Sequence, residues 1–380
     1  MKKNQLVTLG KHIDILSGCA FPSSGFNRNN GVPLIRIRDI LSGKTETYYE
    51  GSYDLKYLIK KGDLLVGMDG DFNREYWKGT DALLNQRVCK ITPNPETLDK
   101  NFLYHFLQKE LDKIHATTDV VTVKHLSVKK IQDIKIRLPS LKEQKRIAAI
   151  LDKADAIRQK REQAIKLADD FLRAKFLEMF GTPANNIHRF PKGTIRDLVD
   201  SVNYGTSAKA SIDSGEYPIL RMGNITYQGR WDFTDLKYLD LSVKEKDKYL
   251  VKEGDLLFNR TNSKELVGKT AVYEEDRPMA FAGYLIRVRP NSIGNNYYIS
   301  GYLNSIHGKI TLMNMCKSIV GMANINAQEL QNIEILIPPK HLQDEYEIIY
   351  KKIKKGLSIY DKSAMQLQRL ASNLSNKYFM

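Results

Sequence analysis

Two Asp-x-Lys elements, Asp54-Leu55-Lys56 and Asp235-Leu236-Lys237, could serve a metal-dependent nuclease, the carboxylate holding an ion and the lysine steadying the phosphate. Neither has a clear acidic partner and both fall in β-rich sequence, which favours surface charge. The stretch NSKELVGKT (262–270) comes within one residue of a phosphate-cradling loop, but Ser263 stands where the first glycine is required. Nucleotide binding there is not expected. An S-adenosylmethionine-dependent amino-methyltransferase needs an Asn/Asp-Pro-Pro-aromatic loop. The only Pro-Pro, Pro338-Pro339, is preceded by Ile337 and followed by Lys340. The seven histidines show neither H-E-x-x-H nor paired ligand spacing. Cys19, Cys89 and Cys316 are far apart and outside any C-x-x-C pattern, which fits reduced thiols in a cytoplasm. No catalytic residue, metal ligand or cofactor-binding residue is assigned.

Hydrogen-bond donors on polar turns are the more productive chemistry. Gly18-Cys-Ala-Phe-Pro-Ser-Ser24 offers Ser23 and Ser24, and Asn203-Tyr-Gly-Thr-Ser-Ala-Lys209 offers Thr206, Ser207 and Lys209. Small hydroxyls and a lysine at a glycine turn suit phosphate contacts, although ordinary polar turns carry the same residues. Asn73, Arg74 and Lys78 lie in GMDGDFNREYWKG (67–79), and Arg260, Asn262 and Lys264 in NRTNSKELVGK (259–269). These side chains carry the donors that guanine edges, adenine edges and phosphates accept. Arg36 and Arg221 recur in β-rich frames, where ion pairing is an equal reading. The surplus of 59 Lys+Arg over 44 Asp+Glu, a formal charge of +15, favours a polyanionic partner through counterion release.

The elements that hold these loops are written twice. GVPLIRIRDI (31–40) resembles EYPILRMGNI (216–225), and YLIKKGDLLVGMDG (57–70) resembles YLVKEGDLLFNRTN (249–262). ITPN (91–94) recurs as VRPN (288–291), and HLSVKKIQDIKIRLPSLKEQ (125–144) aligns without a gap to NINAQELQNIEILIPPKHLQ (324–343). The order is kept, with offsets of 185, 192, 197 and 199 residues, as a duplication requires. Each copy predicts short strands broken by Gly/Asn/Asp/Ser turns, an aromatic helix, a further strand, and a long helix after a proline. The loops after Gly-Asp-Leu-Leu diverge, as two readers of different sequences would.

At 380 residues with 42% hydrophobic and 27% charged residues, the chain predicts two or three globular domains. No run of 18 apolar residues predicts a membrane span, and the start lacks the continuous apolar region of a secretory signal. No Gly or Pro occurs between Ser140 and Phe180. Apolar positions including Ile147, Ile150, Leu151, Ala154, Ile157 and Phe171 recur at spacings of three and four. The C-terminal segment repeats the pattern with Ile349, Ile353, Tyr360, Ala364, Leu367, Leu370 and Tyr378. Helices so long and striped on one side must lie along another helix, and the other copy is the expected partner, as an antiparallel coiled pair. A self-association helix between protomers is the alternative.

The duplicated layout, the IRLPSLKEQKRIAAILD block with its degenerate copy ILIPPKHLQDEY, and GDLLVGMDGDFN resemble the specificity subunit of type I restriction–modification systems. The resemblance covers essentially the whole chain. It implies an α+β fold with two similar target recognition domains, each followed by a long helix. The expected boundaries are 1–139 for the first recognition domain, 140–181 for the central spacer helix, 182–338 for the second recognition domain and 339–380 for the C-terminal spacer helix. It further implies a non-catalytic subunit that reads a bipartite, asymmetric duplex DNA target. Its helices would dock methyltransferase subunits, two in number, and restriction/translocase subunits would join. S-adenosylmethionine, ATP and Mg would sit on those partners, in the cytoplasm of a bacterium or archaeon, with no membrane association. A self-contained nuclease or methyltransferase and a coiled-coil scaffold are the competing readings. The missing motifs count against the first, the divergent loops and the charge against the second.

Overall fold

The computed structural model describes residues 5–118, 124–316 and 321–379, without side-chain detail at 5, 358–365, 368 and 378. Tyr360, Ala364 and Tyr378 of the expected apolar stripe therefore lie outside the described side chains. The chain divides into two compact units, one of residues 1–161 with 361–380 and one of residues 162–360.

In the first unit a four-stranded antiparallel sheet runs in the order Ile13–Ser17, Val88–Pro93, Leu64–Gly67, Arg74–Tyr76. A second sheet places Val32–Ile35 parallel to Ala82–Leu84, and Gln5–Thr8 pairs with Lys135–Leu138. The second unit repeats this plan. Its four-stranded sheet runs Val199–Tyr204, Leu285–Pro290, Leu256–Asn259, Thr270–Val272. Tyr217–Leu220 lies parallel to Ala280–Phe281, and Lys192–Thr194 pairs with Glu334–Leu336. The duplication seen in the sequence is thus a duplication of strand order.

The shared Gly-Asp-Leu-Leu is structural. Asp63 and Asp255 each accept a backbone N–H three residues back, from Lys60 at 2.8 Å and Lys252 at 2.9 Å, closing a turn before the strand. Each carboxylate also meets a cation on the neighbouring strand, Lys90 at 3.4 Å and Arg289 at 2.8 Å. The leucines that follow, 64–65 and 256–257, are buried on both sheet faces.

The Pro-to-helix junctions are structural as well. Gln144 and Gln343, 1% and 0% exposed, turn back from the first turn of each long helix into the domain before it. The Gln144 amide donates to the carbonyls of Thr97 and Pro139 and accepts the Asp99 N–H at 2.8 Å. The Gln343 amide donates to Ile293 and Pro338 at 3.0 and 2.8 Å.

Both long helices, Leu141–Phe180 and Lys340–Phe379, have 40 residues, so each extends roughly 60 Å at ~1.5 Å per residue. Gly181 ends the first with φ +66, a conformation that favours glycine. They pair antiparallel. Within the second unit the Phe176 and Phe180 rings lie 5.3 and 5.9 Å from Tyr346, and Asp169 and Leu172 share a narrow cavity with Tyr350, Ile353 and Leu357. Within the first unit Ile147, Ala148 and Leu151 share a core with Ala371 and Phe379, whose ring meets Phe102 at 5.2 Å. Early residues of one helix thus meet late residues of the other, and late meet early.

Candidate nucleic-acid interface

The two glycine turns occupy equivalent places. Gly18 and Gly205 lie against a neighbouring backbone so closely that a Cβ would come within 2.0 Å of Asn85 O and 2.3 Å of Phe281 O. Only glycine permits this approach. Next to each, Cys19 N–H donates to Leu84 O and Thr206 N–H to Phe281 O, both at 2.9 Å, stitching the turn to the parallel pair of the second sheet. Ser23 and Ser24 begin a short 3-10 turn and are exposed.

In the second unit this turn forms one wall of a cleft of about 830 Å³. Of the residues singled out from sequence, Thr206, Ser207, Arg260 and Asn262 line it, and Lys209 and Lys264 do not. Arg221, Lys237, Lys269 and Tyr284 complete the polar lining. The Arg260 guanidinium sits 4.9 Å over the Tyr204 ring, and Tyr204 Oη accepts the Ala327 N–H at 2.9 Å. The ring therefore fixes the arginine without consuming its donors. The Asn262 amide is committed, donating to Asn259 Oδ1 at 2.8 Å and accepting from its neighbour Ser263 N–H. Lys269 Nζ donates to Met222 O at 2.7 Å, and burial lowers its pKa. The near-phosphate-loop 262–270 is thus a turn between paired strands whose lysine serves as an internal brace. Arg221 pairs with the exposed Asp235 at 2.8 Å, so the second Asp-x-Lys supplies an ion-pair acid and, in Lys237, a cleft lysine. Asp54 of the first caps a 3-10 turn by accepting Lys56 N–H and pairs with the Lys56 ammonium at 3.0 Å, both exposed.

In the first unit the corresponding loop is built differently. Arg74 stacks on Tyr104 at 3.4 Å from the ring centroid, and Tyr104 stacks in turn on Tyr76 at 4.7 Å. Tyr104 Oη donates to Glu75, and Lys78 pairs with the same carboxylate group at 3.5 Å. Arg74 is therefore held by packing, Lys78 is an exposed cation, and Asn73 is half-buried next to them. On the helices, Ile147 and Leu151 are buried, Ile150, Ala154, Ile157, Ile349, Ile353 and Leu367 are half-buried, and Phe171 and Leu370 are about half exposed.

Sequence reading missed Lys237, Lys269 and Tyr284 as cleft residues and the two glutamines as clamps. A glutamine five residues after the proline that follows the strand in one copy, matched in the other, was the available signal for the clamps. Tyr284 carried none, since its place depends on a β-bridge between Thr206 and Ala282. Among the described residues no group of three or more His, Cys, Asp or Glu is placed to hold a metal ion, and no helix is long and apolar enough to cross a membrane.

Two copies of one α+β unit, each joined through a buried glutamine to a long helix, with divergent cationic loops, define a tandem recognition protein. The chain belongs to the family of the type I restriction modification DNA specificity domain, whose model matches residues 1–167 and 190–373. It is a specificity subunit of that system, with two recognition domains. The type I restriction enzyme EcoBI specificity subunit of Escherichia coli is 30% identical over 401 residues, covering 97% of this chain and 82% of that protein. The EcoKI specificity subunit of Escherichia coli K12 is 23% identical over 377 residues, covering 92% and 80%. The crystal structure of the type I restriction–modification S subunit from M. genitalium shares the fold, with a TM-score of 0.65 at 15% identity over 98% of this chain and 95% of that one.

Proposed function

We propose that each unit reads one part of a bipartite, asymmetric duplex DNA target and that the long helices set the gap and dock catalytic subunits. The domains so used are 1–139 and 182–338, with 140–181 and 339–380 as the spacers. The observation that carries this reading is the repeated frame with non-repeated cationic loops: the same sheet order presents Arg260, Lys237 and Ser207 in one copy and Lys78, Asn73 and Ser24 in the other. Arg260, braced on Tyr204, is the leading base or phosphate donor of the second unit.

Methyltransferase subunits, two by the pairing of two helices, and restriction/translocase subunits are the partners. A solved structure of similar fold, with a TM-score of 0.50 at 17% identity over 100% of this chain and 98% of that one, concerns complex assembly and conformational transition of the type I system. On this reading the chain performs no chemistry itself, and S-adenosylmethionine, ATP and Mg belong to the partners. The setting is the cytoplasm of a bacterium or archaeon.

Duplex binding measured against salt tests it. Affinity falls steeply with salt and rises when the methyltransferase partner is added, whereas binding independent of salt would sink the reading. Methyl transfer or cleavage by the purified chain alone would favour a self-contained enzyme instead.

A further inference from the structure

A second pocket of the second unit lies apart from the cleft lining and has a different character. It encloses about 350 Å³ between the helix Ile306–Met315 and the 264–267 turn. Its walls combine aliphatic residues with cations: Ile306, Ile310 and Met313 on one helix face, and Arg173, Lys264 and Lys309 around them. Ile306 is 67% exposed, Ile310 48% and Met313 43%, so an apolar stripe at i, i+4 and i+7 is open to solvent. Glu265 is the one carboxylate on the lining.

Lys309 gives the pocket its demand for a ligand. Its Nζ is sealed from solvent yet has no hydrogen-bond acceptor, and it rests 4.8 Å over the Tyr227 ring. Burial first, then the charges of Arg173 and Lys269, push its pKa down to about 8. An ammonium so placed lacks the anion that would restore what desolvation took from it.

Two polyanions could supply that charge. A DNA phosphate gains nothing from covering Ile306, Ile310 and Met313, whereas a protein segment with one apolar side chain flanked by carboxylates satisfies both halves of the surface. A volume of this size admits one large side chain. We infer that this pocket is a docking site for an acidic protein segment that inserts a single large apolar residue between the 306–313 helix face and the Arg173, Lys264 and Lys309 cations.

The test uses the full chain and a fluorescent peptide carrying one phenylalanine flanked by glutamates, followed by anisotropy. The expected result is saturable one-to-one binding, weakened at least about tenfold by Ile310→Asp and by Lys309→Met. The same peptide with lysines for glutamates should not bind. Ile310 is about half exposed and Lys309 half-buried, and an unchanged circular dichroism spectrum shows that each variant is folded. No saturable binding to the wild-type chain, or binding indifferent to both substitutions, overturns the inference. Displacement of the peptide by duplex DNA would assign the pocket to phosphate and overturn it as well.

Discussion

At the scale of single residues, side-chain donors divide into those already spent and those free to meet a ligand. Lys269 braces Met222 O and Asn262 closes its own turn, whereas Arg260 is braced on the Tyr204 ring and lines an open cleft. Arg260→Ala should therefore weaken duplex binding by about 1–3 kcal/mol, read by titration at fixed salt, if it contacts a base edge. A smaller salt slope with unchanged sequence preference would identify a phosphate contact instead. Lys309 yields a pH prediction. Its pKa of about 8 in the folded chain is below the ordinary 10.5, so the unfolded chain binds more protons between these values. Its charge thus opposes folding below pH 8, and the opposition fades as pH rises toward 10.5. Lys309→Met should be more stable than wild type by about 1–3 kcal/mol near neutrality, less near pH 10, in urea unfolding followed by circular dichroism. None of these roles was legible in the sequence, where Arg74, Arg260 and Lys264 were equivalent donors. What separates them is which ring or carbonyl the fold brings alongside.

At the scale of elements the sequence was far more informative. The gapless match of 125–144 to 324–343 marks the strand, proline and helix start that recur as Lys135–Leu138 and Glu334–Leu336 with their long helices. Local rules suffice there: alternation for a strand, proline at a junction, and a break-free apolar stripe for a helix. Sequence placed both Phe171 and Phe176 on that stripe; Phe171 is 50% exposed, and the buried ring contacts fall to Phe176 with Phe180. The stripe's period was readable; which edge of it is covered depends on the partner helix. The glutamine clamps predict that Gln144→Ala leaves the Asp99 N–H and the Thr97 and Pro139 carbonyls without their partner. The expected loss is about 2–4 kcal/mol in urea unfolding of the first unit. Gln343→Ala, with fewer partners in the second unit, should cost less. Equal, negligible losses would show that the junctions are not anchored this way.

At the scale of the whole molecule the proposal is that duplication separates reading from spacing. Adding seven residues to each long helix lengthens both by about 10 Å, and this should widen the undefined gap of the target by about three base pairs while leaving both defined blocks unchanged. Altered blocks, or an unchanged gap, would count against a spacer role. The most direct test of the central claim is to map every methylated base in a genome that carries this chain with its methyltransferase partner. The account predicts one asymmetric motif of two short defined blocks separated by a fixed undefined gap, with substitutions in the 203–209 and 259–269 loops changing one block only. A continuous ungapped motif, or methylation that does not depend on this chain, would contradict it.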